Sequence, residues 1–393
     1  MERKSALQSM SRKHRYLMED IFIAYLAMGT YLTLIGSVLP GIKAEYQISY
    51  QVGGWMMSAQ QIGYLVSGIA ASLIASRIGV KVTYLTFGTL AFIGLALMIV
   101  TGNPAVLLFA MLLTGLCKGC TANFGNQITS TLSNNDSSLL NLAQAFFAIG
   151  TCLAPIITVL CGASWRTAFV ITIAMGVLTF LHGLRIEIGP EAFRQETNVG
   201  KPDLGFFKKS IFWICCLLLM CYLAFEASVM GWLVTFFVDS GAAAETAAQL
   251  LATALWVAVL IGRFASAWFA TRFRPEHMML VMTAGVVVCF SVMMFSHTFV
   301  PMAAATFGLG LFMAGMYGTT LGGSDNLIGQ YPMCMGMFIV IPGIGSAVTQ
   351  SAIGTLADQV GIRGGMYFLY VLLAILIFST ALFLRYHNKQ NRE

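Results

Sequence analysis

Charge is what this sequence has least of. Only 10% of its 393 residues are charged, against 58% hydrophobic, and a chain so poor in charge cannot clothe the surface of one or two water-soluble domains. A cleavable leader is also missing from the expected pattern. The first eighteen residues carry Arg3, Lys4, Arg12, Lys13 and Arg15 without an apolar core or a small-residue cleavage site, and read as a cytosolic tail. The net charge of +6 invites a nucleic-acid partner, but the basic residues fall between apolar runs and form no single stripe, so no such partner is expected.

Catalytic groupings are equally scarce. His182, His277, His297 and His387 stand at the ends of apolar runs or in loops, and no nucleophile, base and orienting group can be assembled around them. We therefore expect no enzyme, no cofactor and no metal site. The glycines between Gly308 and Gly323 lie in an apolar run and read as packing positions, not a phosphate loop. The nine cysteines are odd in number and lie mostly in apolar runs, so no disulfide framework is implied. Cys117-Lys-Gly-Cys120 has the spacing of a redox or zinc pair, but no second ligand pair exists, and small buried side chains explain it.

What the chain has instead is apolar length. Twelve runs long enough to cross about 30 Å of hydrocarbon lie near 20–40, 51–75, 82–101, 104–128, 138–161, 166–184, 211–238, 247–270, 278–297, 300–322, 334–357 and 365–385. With the amino terminus inside, 17 of the 22 Lys and Arg fall in cytosolic segments, so both termini are expected in the cytosol of a bacterial inner or plasma membrane protein. The polar stretch 186–209 divides the runs six and six, giving an N-terminal half at 1–185, a cytosolic linker at 186–209 and a C-terminal half at 210–393. Arg77 and Arg272, and Gly150 and Gly345, recur 195 residues apart at matching places, as expected of two parallel six-helix repeats.

Polar groups inside the runs mark the candidate site. Glu226 sits near mid-depth of the seventh run, where a charge costs about 2.5 to 3.5 kcal/mol and must face a cavity or a partner. Tyr222 shares its helical face, whereas Trp232 lies about 120° away. Lys118 holds the same depth in the fourth run, too far from either interface to snorkel. Gln60, Gln61 and Tyr64 stand together in the second run. Asn123, Asn141, Gln144, Trp256, Tyr317 and Gln350 complete the candidate hydrogen-bonding and aromatic lining. Arg77 and Arg263, near cytosolic run ends, are candidates for gating.

Leu140-Asn141-Leu142-Ala143-Gln144, Thr121-Ala122-Asn123, the Tyr222, Glu226, Trp232 series and Gly262-Arg263-Phe264 together resemble the fucose permease branch of the major facilitator superfamily, a group of sugar-proton symporters. The resemblance implies an all-α membrane protein of twelve helices in two parallel-repeat halves, with the first, fourth, seventh and tenth spans around a central cavity. It departs in two respects. Gly36 and Gly119 stand where that branch has acids. The superfamily's loop motif, Gly-x-x-x-Asp-Arg-x-Gly-Arg-Lys, survives only as Ser72, Ser76, Arg77, Gly79, Val80 and Lys81.

The expected function is secondary active transport of a small polar solute, a sugar or sugar derivative, by alternating access in a lipid bilayer. A proton or another ion would be coupled through Glu226 and Lys118, and the protein is expected to be monomeric. The rival readings are efflux of amphipathic compounds through a cavity lined by some of the 28 Phe and 23 Met, and uncoupled facilitation.

Overall fold

The computed structural model describes residues 10–132, 137–162, 164–189, 204–296, 298–324, 327–331 and 333–390. His297 and most of the expected linker lie outside the described residues. Every regular element within them is a helix: α1 (Arg12–Tyr46), α2 (Tyr50–Ile78), α3 (Val80–Val100), α4 (Pro104–Leu132), α5 (Ser137–Leu160), α6 (Trp165–Gly183), a 3-10 turn (Gly205–Lys208), α7 (Ser210–Asp239), α8 (Glu245–Ala270), α9 (Pro275–Phe295), α10 (Phe299–Met313), α11 (Met316–Gly322), α12 (Leu327–Gln330), α13 (Cys334–Met366) and α14 (Leu369–Gln390). Helices are the expected outcome, because a chain in hydrocarbon must satisfy its backbone polar groups within each segment. Among the described residues eleven helices are long and apolar enough to span a membrane, or twelve when α2, bent by 47° near residue 69, counts as one span.

Three helices run differently from their apolar runs. α1 begins at Arg12, inside the basic tail, where Arg15 and Glu19 pair one turn apart. The tenth span is interrupted between Met313 and Met316, where Gly315 abuts Ser266 of α8. α13 continues beyond residue 357 and changes direction at Gly361, whose φ of 77° an L side chain rarely adopts.

The helices form two compact units, one comprising Met1–Ile42 and Ala59–Asn198, the other Lys43–Ser58 and Val199–Glu393. In the first, a Cβ on Gly115 of α4 would collide with the Gln60 carbonyl of α2, and one on Gly150 of α5 with the Leu26 carbonyl of α1. In the second, a Cβ on Gly310 of α10 would meet the Leu255 carbonyl of α8 at 2.5 Å, and one on Gly345 of α13 would meet Met220 of α7 at 2.6 Å. The first contact recurs 195 residues later at both partners, from 60 to 255 and from 115 to 310. Ser67 Oγ likewise donates to the Leu116 carbonyl at 2.7 Å, and Gly262, 195 residues on, sits against the Leu311 carbonyl. The repeat expected from two glycines and two arginines is thus a repeat of helix contacts, built where small residues let backbones approach.

The short stretch 43–58 is tied into the second unit by side chains. Both Asp358 oxygens accept backbone N–H bonds at the start of α2, from Tyr50 at 2.8 Å and Gln51 at 3.0 Å. Asp239, at the end of α7, accepts from the Tyr50 hydroxyl at 2.8 Å and pairs with Lys43 at 2.7 Å, whose ammonium also lies 3.5 Å from the Tyr50 ring centroid. Gly54 and Gly354 bring α2 and α13 into backbone contact beside them.

Candidate transport site

Within the first unit the polar residues of α2 and α4 satisfy one another. Lys118 Nζ donates to Gln61 Oε1 at 3.1 Å and stands 4.4 Å from the Tyr64 ring centroid, a cation–π arrangement that contributes about 0.5 to 2 kcal/mol depending on desolvation. Gln60 Nε2 donates to Thr114 Oγ1 at 3.0 Å, and Thr114 in turn donates to the Met111 carbonyl at 2.7 Å. The close approach at Gly115 and Gly119 brings these side chains within reach. All four of Gln60, Gln61, Tyr64 and Lys118 are half-buried, so the cluster pairs its polar atoms and still presents a face.

Other candidates on this unit lie elsewhere. Asn123 Nδ2 donates to the Gly68 carbonyl at 3.2 Å and to Ser72 at 3.4 Å, which uses its amide for holding α4 to α2. On α5, Asn141 is exposed and Gln144 half-buried. Arg77 is exposed at the end of α2. Cys117 is buried on α4 with its thiol directed at the Gly88 carbonyl, 3.4 Å away.

Within the second unit the Tyr222 hydroxyl donates to Glu226 Oε1 at 2.8 Å, one turn along α7. Arg263, on α8, is exposed, and Tyr317, on α11, is half-buried. α7 runs unbroken through Gly231, which leaves Trp232 fully buried on another face, with the Tyr50 ring 6.3 Å away. Trp256 is half-buried on α8. Gln350 is buried on α13, its Oε1 without a hydrogen-bond partner among the described residues.

Two groupings were not anticipated. One is Asp20 with His182, discussed below. The other is Asp358, near the end of α13, whose carboxylate holds the start of α2.

Comparison with known proteins bears on the family and the fold. The chain is 25% identical to the 3-(3-hydroxy-phenyl)propionate transporter of Escherichia coli K12 over 86% of its length and 83% of that protein's. It is 22% identical to the L-fucose-proton symporter of the same organism over 82% of this chain and 83% of that one. The solved structure of a nucleoside transporter superposes at a TM-score of 0.77 with 15% identity, covering 95% of this chain and 99% of the other. The family model of the Major Facilitator Superfamily matches residues 21–330, and with the helical repeat described above this chain belongs to that superfamily, as a multi-pass membrane transporter.

Proposed function

We propose that this transporter moves a small polar solute, a sugar or sugar derivative, by alternating access, and that protons drive it through Glu226. The observation that carries the reading is the half-buried cluster of Lys118, Gln60, Gln61 and Tyr64, with Tyr222 and Glu226 in the other unit. Donors and acceptors spaced around aromatic faces match a polyhydroxylated ligand better than a greasy one. In the proposed topology both termini and the linker at 186–209 are cytosolic, between halves at 1–185 and 210–393.

Coupling rests on Glu226. Its partner Tyr222 holds the carboxylate from the same helix, so the acid can gain or lose a proton without losing its place. A second solute class has its own supporting observation. Lys118 and Arg263 are cations within spans, and a carboxylate-bearing solute, as in the aromatic-acid transporter named above, would use them.

Proteoliposome uptake against a panel of sugars, nucleosides and aromatic acids, with and without an imposed pH difference, tests the reading. Sugar accumulation should require the pH difference. Glu226→Gln should abolish accumulation while leaving exchange across the membrane. Accumulation that survives in Glu226→Gln removes the coupling role, and accumulation of aromatic acids alone favours the second solute class.

A further inference from the structure

Asp20 and His182 lie apart from every group used so far. Asp20 on α1 is fully buried, and its Oδ1 is 2.9 Å from Nδ1 of His182 on α6. Tyr16 stacks on the imidazole with ring centroids 4.3 Å apart, fixing the ring against the carboxyl. The Tyr84 hydroxyl of α3 stands at the same carboxyl, whose other oxygen, Oδ2, is buried and makes no closer hydrogen bond among the described residues.

The surroundings suit proton exchange. A cavity of about 30 Å³ adjoins Asp20 and is lined also by Tyr84 and Thr121. One water needs roughly 10–15 Å³ measured this way, so there is room for one or two. Of the ionisable groups packed around the carboxyl, Tyr84 of α3 faces it directly. Cys120 of α4 and Tyr25 of α1 face Tyr84 in turn, and Cys117 of α4 lines the cavity. Lys81 of α3 is engaged by the Leu184 carbonyl at 2.9 Å. Among the described residues, His182 is the basic side chain in contact with Asp20.

We propose that Asp20 and His182 form a proton-binding site in the first unit, separate from Glu226, that exchanges its proton with water in the adjoining cavity. Uptake forms an O–H bond at Oδ2 and turns a hydronium ion into water; release reverses both. Titration then belongs to the pair and not to either residue. The proposal does not depend on which solute is carried.

Infrared difference spectra of the purified full chain, recorded across a pH titration, read this site through the carbonyl stretch of buried carboxylic acids. In a Glu226→Gln background, which removes the other proposed proton acceptor, a titrating band should be present, and adding Asp20→Asn should remove it. His182→Gln, which keeps the acid but removes its partner, should move the band's midpoint by at least tenfold in proton affinity. In that background, the absence of a titrating band, its persistence in folded protein on adding Asp20→Asn, or an unmoved midpoint on adding His182→Gln would each overturn the proposal. Should Asp20→Asn fail to fold, His182→Gln decides alone.

Discussion

The two units pack their helices alike and furnish them differently. α2 meets α4 at Gln60 and Gly115 as α8 meets α10 at Leu255 and Gly310. Yet at positions related by 195 residues Gln61 corresponds to Trp256, Tyr64 to Val259 and Lys118 to Met313, while Glu226 corresponds to Tyr31 and Arg263 to Gly68. Backbone approach requires small residues in both copies, because a Cβ there has nowhere to go. Nothing in that packing requires a lysine or a glutamate. The lesson is that the repeat carries the scaffold, and that the departures from it, more than the repeat itself, locate the chemistry.

The sharpest way to break this comparison is to exchange the departures. Met313 is fully buried, and Met313→Lys, which copies the first unit into the second, should destabilise the protein by about 2.5 to 3.5 kcal/mol, read as a lower thermal unfolding midpoint. The reverse change, Lys118→Met, should leave the fold intact and weaken solute binding about tenfold to a hundredfold, through loss of a charge-assisted hydrogen bond. Equal tolerance of both changes would mean that the polar groups do not distinguish the units.

The shared packing is tested next. Gly115→Ala should cost about 1 to 3 kcal/mol by overpacking, measured by the same thermal unfolding. Gly318→Ala, with nothing within 4 Å of the added methyl, should cost nothing. Asp358→Ala removes two acceptors from a helix start, and should lower stability by about 1 kcal/mol. Ser76, at the end of α2, donates to the Leu73 carbonyl, and Ser76→Ala should have a smaller effect.

The smallest effect is expected at Glu187, which pairs with Lys13 at 2.5 Å on an exposed surface. Lys13 holds the Glu187 carboxyl below its ordinary value. A depressed folded-state value means that the contribution is present above the unfolded-state value and lost as pH falls through the folded one. Glu187→Gln should therefore remove a slight acid sensitivity of the unfolding midpoint, and nothing measurable should remain in physiological salt.

The fold was legible because its cause is coarse. Apolar length and the scarcity of charge announce spanning helices, and glycines at a fixed separation mark the repeat. The pairing of Lys118 with Gln61 was half-visible: the sequence put both at depth in neighbouring spans but not against each other. Asp20 was hidden by position, because it stands at the start of the first apolar run, just after a basic tail, and its burial against His182 depends on α6, far along the chain. Trp232 and Gln350 illustrate the opposite difficulty. Residue type suggested a lining role, yet burial of the first beside Tyr50 and of the second in α13 depends on neighbours distant in sequence.

The grip of Asp358 on the start of α2 also supplies a clock. Backbone amides in the first turn of a helix have no intrahelical acceptor, and at an exposed start their hydrogens trade with solvent almost at once. Those of Tyr50 and Gln51 are held by a carboxylate 308 and 307 residues away along the chain. Their deuterium uptake therefore records how often that carboxylate lets go, a native reporter of opening that needs no label and no knowledge of the solute.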